Sequence, residues 1–371
     1  MIYLDYQATT PLAHEAAEAM QPWIERFANP HSPSRWGREA AAAIEVARGQ
    51  VERAIGLRGT VAFTGSATEA INWALKGVAE QGPANRNRIV TIATEHAAVL
   101  DTCEWLENRG FDVVRLPVRP DGLVDLDAAR TSIDQHALIV AVMLVNNETG
   151  VVQPVAELAR MAQDAGALML CDAVQGLGRV QIPEGPDLIA VSAHKIHGPK
   201  GIGALWIRDG VTPPAPLIHG GGQERGLRSG TLSPSLCLGF GTAATLASER
   251  REDDALHVQR LWDLALDALG PGWKVNGSVD QRYRGNLNIR RDGLDAARLL
   301  SDLRDVAFSL GSACASGSGR PSHVLRALGL SDAQARSSIR LGFGRYSTEE
   351  ELAEACQRIE TAARAQQGLA A

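Results

Sequence analysis

Lys195 closes the run Val191-Ser192-Ala193-His194-Lys195, and Asp172 stands 23 residues earlier in Leu170-Cys171-Asp172-Ala173-Val174-Gln175. Both runs follow short apolar stretches that read as buried strands. A lysine at a strand end can form a Schiff base with an aldehyde, and a carboxylate at a neighbouring strand end can keep a pyridine nitrogen protonated. That pair of residue types points to pyridoxal 5'-phosphate as cofactor. Taken singly, each residue has an ordinary alternative, a solvated lysine and a loop cap, so the case rests on their neighbours.

Thr64-Gly65-Ser66-Ala67-Thr68-Glu69 follows a strand and opens a helix. Backbone N–H groups and a helix N-terminus then converge where a phosphate dianion is stabilised, with plain helix capping as the alternative. Ser192 and His194 can add side-chain donors to the same phosphate. His96, just beyond another strand end, can stack on a pyridine ring and relay protons, or cap the helix that starts at Ala97. Asn146-Asn147-Glu148-Thr149-Gly150 ends the most apolar strand, as pocket donors or as a turn. Cys314 lies among glycines and serines in Ser309 to Pro321, which makes it a candidate nucleophile or an incidental loop thiol. Cys171 instead closes an apolar strand as a small hydrophobe. Arg340 in Ser338-Ile339-Arg340-Leu341 needs an anion, either a substrate carboxylate or an internal acid.

The elements that must position these residues are short apolar runs alternating with helical patterns. Val61 to Phe63, Ile89 to Ile92, Val113 to Leu116, Leu138 to Val145, Ala167 to Cys171, Leu188 to Ser192 and Ala204 to Ile207 read as strands. Ala40 to Ile55, Thr68 to Ala79, Ala97 to Arg109 and Val155 to Ala165 read as helices. The alternation predicts an α/β fold, a mostly parallel sheet covered on both faces, with ligands at the carboxyl ends of its strands. From about Ser233 the pattern becomes a long helix, Leu236 to Leu269 with a break near Asp253, then shorter strands at Leu287 to Ile289, Val306 to Ser309 and Ser338 to Phe343. This predicts a large cofactor-binding domain over 14–250 and a smaller α+β domain formed by 1–13 and 251–371.

Composition bounds the rest. The chain has 371 residues, 45% hydrophobic and 22% charged, which is the balance of a globular enzyme and excludes disorder. A net charge of −6 and the lack of a basic cluster argue against direct nucleic-acid binding. No signal-like start and no run of about 18 apolar residues occurs, so the expectation is a cytoplasmic protein without a membrane span. The five cysteines form no C-x-x-C pair, which speaks against a disulfide framework or a structural zinc.

Taken together, Leu4-Asp5-Tyr6-Gln7-Ala8-Thr9-Thr10-Pro11, Ala67-Thr68-Glu69, Thr94-Glu95-His96, Val145-Asn146-Asn147-Glu148, Asp172-Ala173-Val174-Gln175, Ser192-Ala193-His194-Lys195, Gly220-Gly221-Gly222-Gln223-Glu224-Arg225, Arg228-Ser229-Gly230-Thr231 and Gly311-Ser312-Ala313-Cys314 resemble the ordered motifs of a group I cysteine desulfurase. These enzymes belong to the class V aminotransferase family of pyridoxal phosphate enzymes. The resemblance runs from residue 4 to about 348. It implies a fold type I architecture with a seven-stranded sheet in the large domain. It implies conversion of L-cysteine to L-alanine, with sulfur passing to an enzyme persulfide and on to an acceptor such as an iron–sulfur scaffold protein.

The resemblance also assigns roles. Lys195 bears the cofactor imine and shuttles the Cα proton, Asp172 pairs with the pyridinium nitrogen, Gln175 bonds the ring oxygen, and His96 stacks and assists proton transfer. Ala67, Thr68, Ser192 and His194 hold the phosphate. Thr231 reaches the phosphate of a neighbouring subunit, which implies a homodimer. Asn147 and Arg340 fix the substrate carboxylate, and Asn147 also borders the cofactor. Cys314 attacks the sulfur, and by analogy could serve as a transient iron–sulfur ligand; no stable metal is expected.

Some positions depart from the family pattern. Gln7 stands where relatives carry Asn or Ser, Gly65-Ser66 inverts the commoner order, and His197 replaces a frequent Tyr. The chain ends soon after a helical stretch over Ser347 to Gln367, without a longer scaffold-docking tail. A selenocysteine lyase or an aminotransferase on the same fold, and a non-catalytic sulfur-carrier subunit, stand as the alternatives.

Overall fold

Val61 and Phe63 pack into one apolar cluster while Ala62 between them packs into another, and Val90 and Ile92 part from Ile89 in the same way. That alternation, with both faces apolar, is what a doubly covered strand requires. The computed structural model describes residues 1–310 and 321–368. Its central sheet has seven strands in the order Gly59–Thr64, Gly203–Arg208, Leu188–Ser192, Leu168–Asp172, Ala137–Met143, Arg88–Ile92 and Asp112–Leu116. Only Gly203–Arg208 runs against the others, pairing antiparallel with both neighbours; the other neighbouring pairs are parallel. The α/β class and the mostly parallel seven-stranded sheet are therefore as the sequence implies.

Helices cover the sheet on both sides. Arg35–Ile55 and Val155–Ala165 contribute to the cluster on one face, and Ala67–Gln81 and Ala97–Glu107 to the cluster on the other. A third cluster joins Ile2 and Leu4 to Val258, Leu261, Leu287, Ile339 and Ile359. It lies under a four-stranded antiparallel sheet ordered Ser309–Leu310, Ser338–Gly342, Asn286–Arg290 and Lys274–Val275. Ile2–Tyr3 pairs in parallel with Val306–Ala307, so the N-terminal strap is built into this layer.

Two local readings change. The long helix breaks at Arg250 and not near Asp253: the helices are Pro234–Glu249 and Arg251–Leu269. Glu252, Asp253 and Asp254 form the first turn of the second helix, where carboxylates meet the positive end of the backbone dipole. The acidic run that reads as a break is a helix start. A short helix at Leu126–Ser132 was not foreseen; Asp125 caps it by accepting from the N–H groups of Asp127 and Ala128.

Candidate functional site

The strand ends fall on one line. Register pairs Thr64 with Gly203, Gly203 with Ser192, Ala190 with Asp172, and Asp172 with Met143. A cavity of about 270 Å³ opens at this edge, lined by Ser66, Ala67, Thr68, His96, Asn147, Asp172, Gln175, Ser192, His194 and Lys195 among others. Of the ten residues expected to hold the cofactor, nine line this pocket and Thr231 does not. Cys314 lies outside the described residues.

Lys195 ends a single 3₁₀ turn, Ala193–Lys195, that follows the strand Leu188–Ser192. Its Nζ donates to the carbonyls of Gln7 at 2.5 Å and Ala8 at 2.7 Å. Burial, then the positive charges of Arg179 and Arg340, lower its pKa to about 8, while Asp5 and Asp172 pull the other way. At pH 7 roughly a tenth of such amines are neutral, against about one in three thousand at the ordinary value of 10.5. The lysine is prepared to be a nucleophile.

Asp172 is buried at the end of its strand, and its Oδ1 accepts from the N–H of Val174 at 2.9 Å. Burial raises its pKa, against the lowering effects of that N–H, His96 and Lys195. Among the described residues it forms no ion pair, so it is a buried acid whose charge lacks a contact cation. A protonated pyridine nitrogen would supply one. Gln175 is also buried; its Nε2 donates to the carbonyl of Gln7 at 2.9 Å.

The other end of the pocket is the N-terminus of the helix Ala67–Gln81. Ser66 caps it by accepting from the N–H of Glu69 at 3.2 Å. Glu69 Oε2 accepts in turn from the N–H of Gly65 at 2.7 Å, and the carboxylate is neutralised by Arg228 at 2.7 Å. First-turn N–H groups of a helix have no partner within it, and Ala67 and Thr68 of that turn line the cavity. Capping and anion binding are both served. Gly203 permits the arrangement, because a Cβ there would stand 2.5 Å from Ser66 C and 2.6 Å from Ala67 N. Burial and nearby cations lower His194 to about 4, so near neutral pH its ring is uncharged and one nitrogen lies 3.1 Å from Thr9 Oγ1. The donor set, a helix end and Ser192 at one side with an amine and a lone acid at the other, fits a pyridine aldehyde phosphate.

His96 is a helix cap that also borders the cavity. Its Nδ1 accepts from the N–H of Ala98 at 3.0 Å as the cap of Ala97–Glu107, and it lines the pocket. The two amides divide: Asn146 makes the turn, accepting from Glu148 and Thr149 N–H at 3.0 and 2.9 Å, while Asn147 borders the cavity. Arg340 does not line the cavity here. Its Nη2 is paired with Asp5 Oδ1 at 2.7 Å and Ser309 Oγ at 2.8 Å, its Nη1 donates to the carbonyl of Asn147 at 2.9 Å, and its Nε has no partner among the described residues. The internal acid is thus its present anion. Thr231 is exposed.

Ser309, Ser322 and His323 bond residues close in sequence to those that line the pocket. Ser309 Oγ donates to Asp5 Oδ1 at 2.8 Å, Ser322 bonds Glu148, and His323 Nε2 donates to the carbonyl of Glu95 at 2.9 Å. Sequence reasoning missed the roles of Gln7 and Ala8, which act through backbone carbonyls, and of Arg179, whose guanidinium bonds both Gln175 and the carbonyl of Lys195. The only available signal was their proximity to recognised motifs.

The aminotransferase class-V family model matches residues 2–354. The cysteine desulfurase IscS of Rickettsia bellii (strain OSU 85-389) is 44% identical over 364 residues, covering 95% of this chain and 88% of that one. A solved NifS-like protein superposes with a TM-score of 0.90 at 34% identity, covering 97% of this chain and 98% of that one. SspA, solved in complex with cysteine, superposes with a TM-score of 0.83 at 33% identity over 94% of this chain and 100% of that one.

Proposed function

The chain belongs to the aminotransferase class-V family and, within it, to the cysteine desulfurases, and from that membership we propose how its pocket performs the reaction. As a cysteine desulfurase the protein takes sulfur from L-cysteine and leaves L-alanine. The observation that carries the residue-level reading is the presence of a pKa-lowered lysine and a buried unpaired acid in one cavity whose far wall is a helix N-terminus. Pyridoxal phosphate, when bound, supplies an electron sink that makes the bond at Cβ breakable.

Lys195 attaches the cofactor and afterwards takes and returns the proton at the substrate Cα. Asp172 holds the ring nitrogen protonated. Gln175 would donate to the ring oxygen, and His96 would border the ring and pass protons through Nε2, since its Nδ1 is engaged as a helix cap. Ala67, Thr68, Ser192 and His194 hold the phosphate. Asn147 and Arg340 hold the substrate carboxylate, with Arg340 exchanging Asp5 for it. The Cys314 thiolate attacks the substrate sulfur. An S–S bond forms between Cys314 and the substrate sulfur as the substrate C–S bond breaks, leaving a persulfide on Cys314; the C–S electron pair stays with the substrate, whose Cβ then takes up a proton to become the alanine methyl.

The same reading takes the chain as a cytoplasmic homodimer with domains over 14–250 and over 1–13 plus 251–371. Its sulfur acceptor is a protein such as an iron–sulfur scaffold. Among the described residues no helix is long and apolar enough to cross a membrane. Mass spectrometry after brief exposure to L-cysteine tests the reading: the peptide containing Cys314 gains one sulfur atom, and alanine is released. Lys195→Ala gives a colourless protein without either product. Full sulfide release by Cys314→Ala in the presence of a thiol reductant would remove the nucleophile from the scheme.

A further inference from the structure

Arg179 is a cation without an anion. It is partly buried, burial lowers its pKa, and among the described residues it takes part in no ion pair. Its Nη1 donates to Gln175 Oε1, its Nη2 donates to the carbonyl of Lys195 at 2.8 Å, and its guanidinium carbon lies 5.1 Å from the ring centre of Tyr283. A charge withdrawn from water toward neutral acceptors carries a desolvation cost. The contacts it makes show what that cost accompanies. One side chain bridges the backbone of the pocket lysine and the amide of the pocket glutamine.

The bridge fixes an orientation. With Oε1 of Gln175 against the guanidinium and Nε2 against the carbonyl of Gln7 at 2.9 Å, a flipped amide would set donor against donor and acceptor against acceptor. Gln175 therefore keeps its N–H side where Lys195 also bonds, on the carbonyl of Gln7. A cation held this close also disfavours a second positive charge on Lys195.

We infer that Arg179 is the positioning residue of the pocket: it locks the amide of Gln175 with its donors presented and holds Lys195 beside a fixed positive charge that keeps its amine reactive. This deepens the reading of Lys195 and Gln175 given above and rests on it. The residue touches neither substrate nor cofactor; it acts through those two.

The test uses the full-length chain, stripped of pyridoxal phosphate and mixed with it again while the return of colour is timed across pH. The rate follows the neutral fraction of Lys195. Arg179→Met moves the midpoint of this profile upward by about one unit, so that recombination at pH 7 slows roughly tenfold. Arg179→Lys keeps a cation and holds the midpoint, yet binds pyridoxal phosphate more weakly because the planar fork on Gln175 is gone. Gln175→Ala and Arg179→Met combine non-additively in that affinity, as residues acting through one contact do.

An Arg179→Met midpoint equal to that of the wild type, with only a lowered melting temperature, overturns the inference and leaves Arg179 a structural link. Should Arg179→Met fail to fold, Arg179→Lys with unaltered cofactor affinity overturns it equally. Lys195→Ala, run in parallel, separates the two readings: persistent colour there sinks the reading of the pocket, whereas a wild-type profile in Arg179→Met with a colourless Lys195→Ala sinks only the role of Arg179.

Discussion

His197 follows the pocket lysine by two residues and adopts φ +67°, a left-handed conformation uncommon for a side chain with a Cβ. Its Nδ1 donates to the carbonyl of Pro11 at 2.9 Å, and its ring meets Tyr6 and Tyr346 edge-on. Burial lowers its pKa to about 4, below the ordinary 6.5. Because the folded value is the depressed one, the unfolded chain binds the extra proton first. The stability His197 contributes is thus whole above pH 6.5 and lost as pH falls toward 4. Between pH 7 and pH 5 the loss is on the order of 1–2 kcal/mol. His197→Asn, which tolerates the same backbone region, flattens this part of the pH dependence of chemical unfolding; an unchanged slope would show that the ring is not held neutral. At this scale the sequence was legible where a residue's own side chain marks it as a candidate, and Lys195, Asp172 and His96, picked out by type, line one cavity. It was silent at Gln7 and Ala8, because a carbonyl that accepts from Lys195 is present in every residue and leaves no trace in residue type. Arg340 shows a further limit. The sequence required an anion for it, and only coordinates could reveal that Asp5, 335 residues away, was the one at hand.

Helix starts were readable where their causes are local, although the helix read from Ala40 begins at Arg35. Ser66 before Ala67-Thr68-Glu69 is a cap with an acid in the first turn, and the apolar alternation of the strands settles which face each residue takes. The reversed strand Gly203–Arg208 was not distinguishable, since an edge-proximal antiparallel strand buried on both faces is as uniformly apolar as its parallel neighbours. Gly203 within it is the glycine that brings two elements together. A Cβ at this position meets the backbone of Ser66, Ala67 and, at 2.8 Å, Val191 O, none of which yields as a flexible side chain does. Gly203→Ala is expected to push the helix N-terminus from the strand ends, lower stability by about 1–3 kcal/mol and weaken retention of pyridoxal phosphate more than tenfold by absorbance titration. Gly49→Ala is the control: it lies mid-helix and a Cβ there meets only the end of Arg53 at 3.2 Å, so stability holds or rises with helix propensity. Equal cofactor retention in the two variants would show that the close approach at Gly203 has no bearing on the phosphate end of the pocket.

The whole molecule must account for Thr231, which lies outside the pocket of its own chain although Arg228, in the same motif, pairs with Glu69 of the helix whose first turn lines that pocket. Glu224 accepts from Arg48 Nη1 and Nη2 at 2.6 and 2.8 Å and from the N–H of Phe63 at 2.7 Å, while Glu224 and Arg225 hold φ of +48° and +56°. Arg228 then pairs with Glu69 at the helix that forms the phosphate end. Two buried or half-buried ion pairs on either side of a left-handed turn fix the direction in which the segment leaves the body, and Thr231 is presented to the outside. A second copy of the chain can receive it. If the sites are shared across a two-fold axis, each pocket combines Lys195 of one chain with Thr231 of the other. Lys195→Ala and Thr231→Ala chains, unfolded together and refolded as a mixture, then form a heterodimer in which one pocket carries both lesions and the other carries none. Statistical pairing makes half of the dimers mixed, so sulfide release recovers to roughly a quarter of the wild-type level above the Thr231→Ala contribution. A protein sedimenting as a monomer, or a mixture no more active than the sum of its separately refolded parents, would place Thr231 outside the reaction and confine each pocket to a single chain.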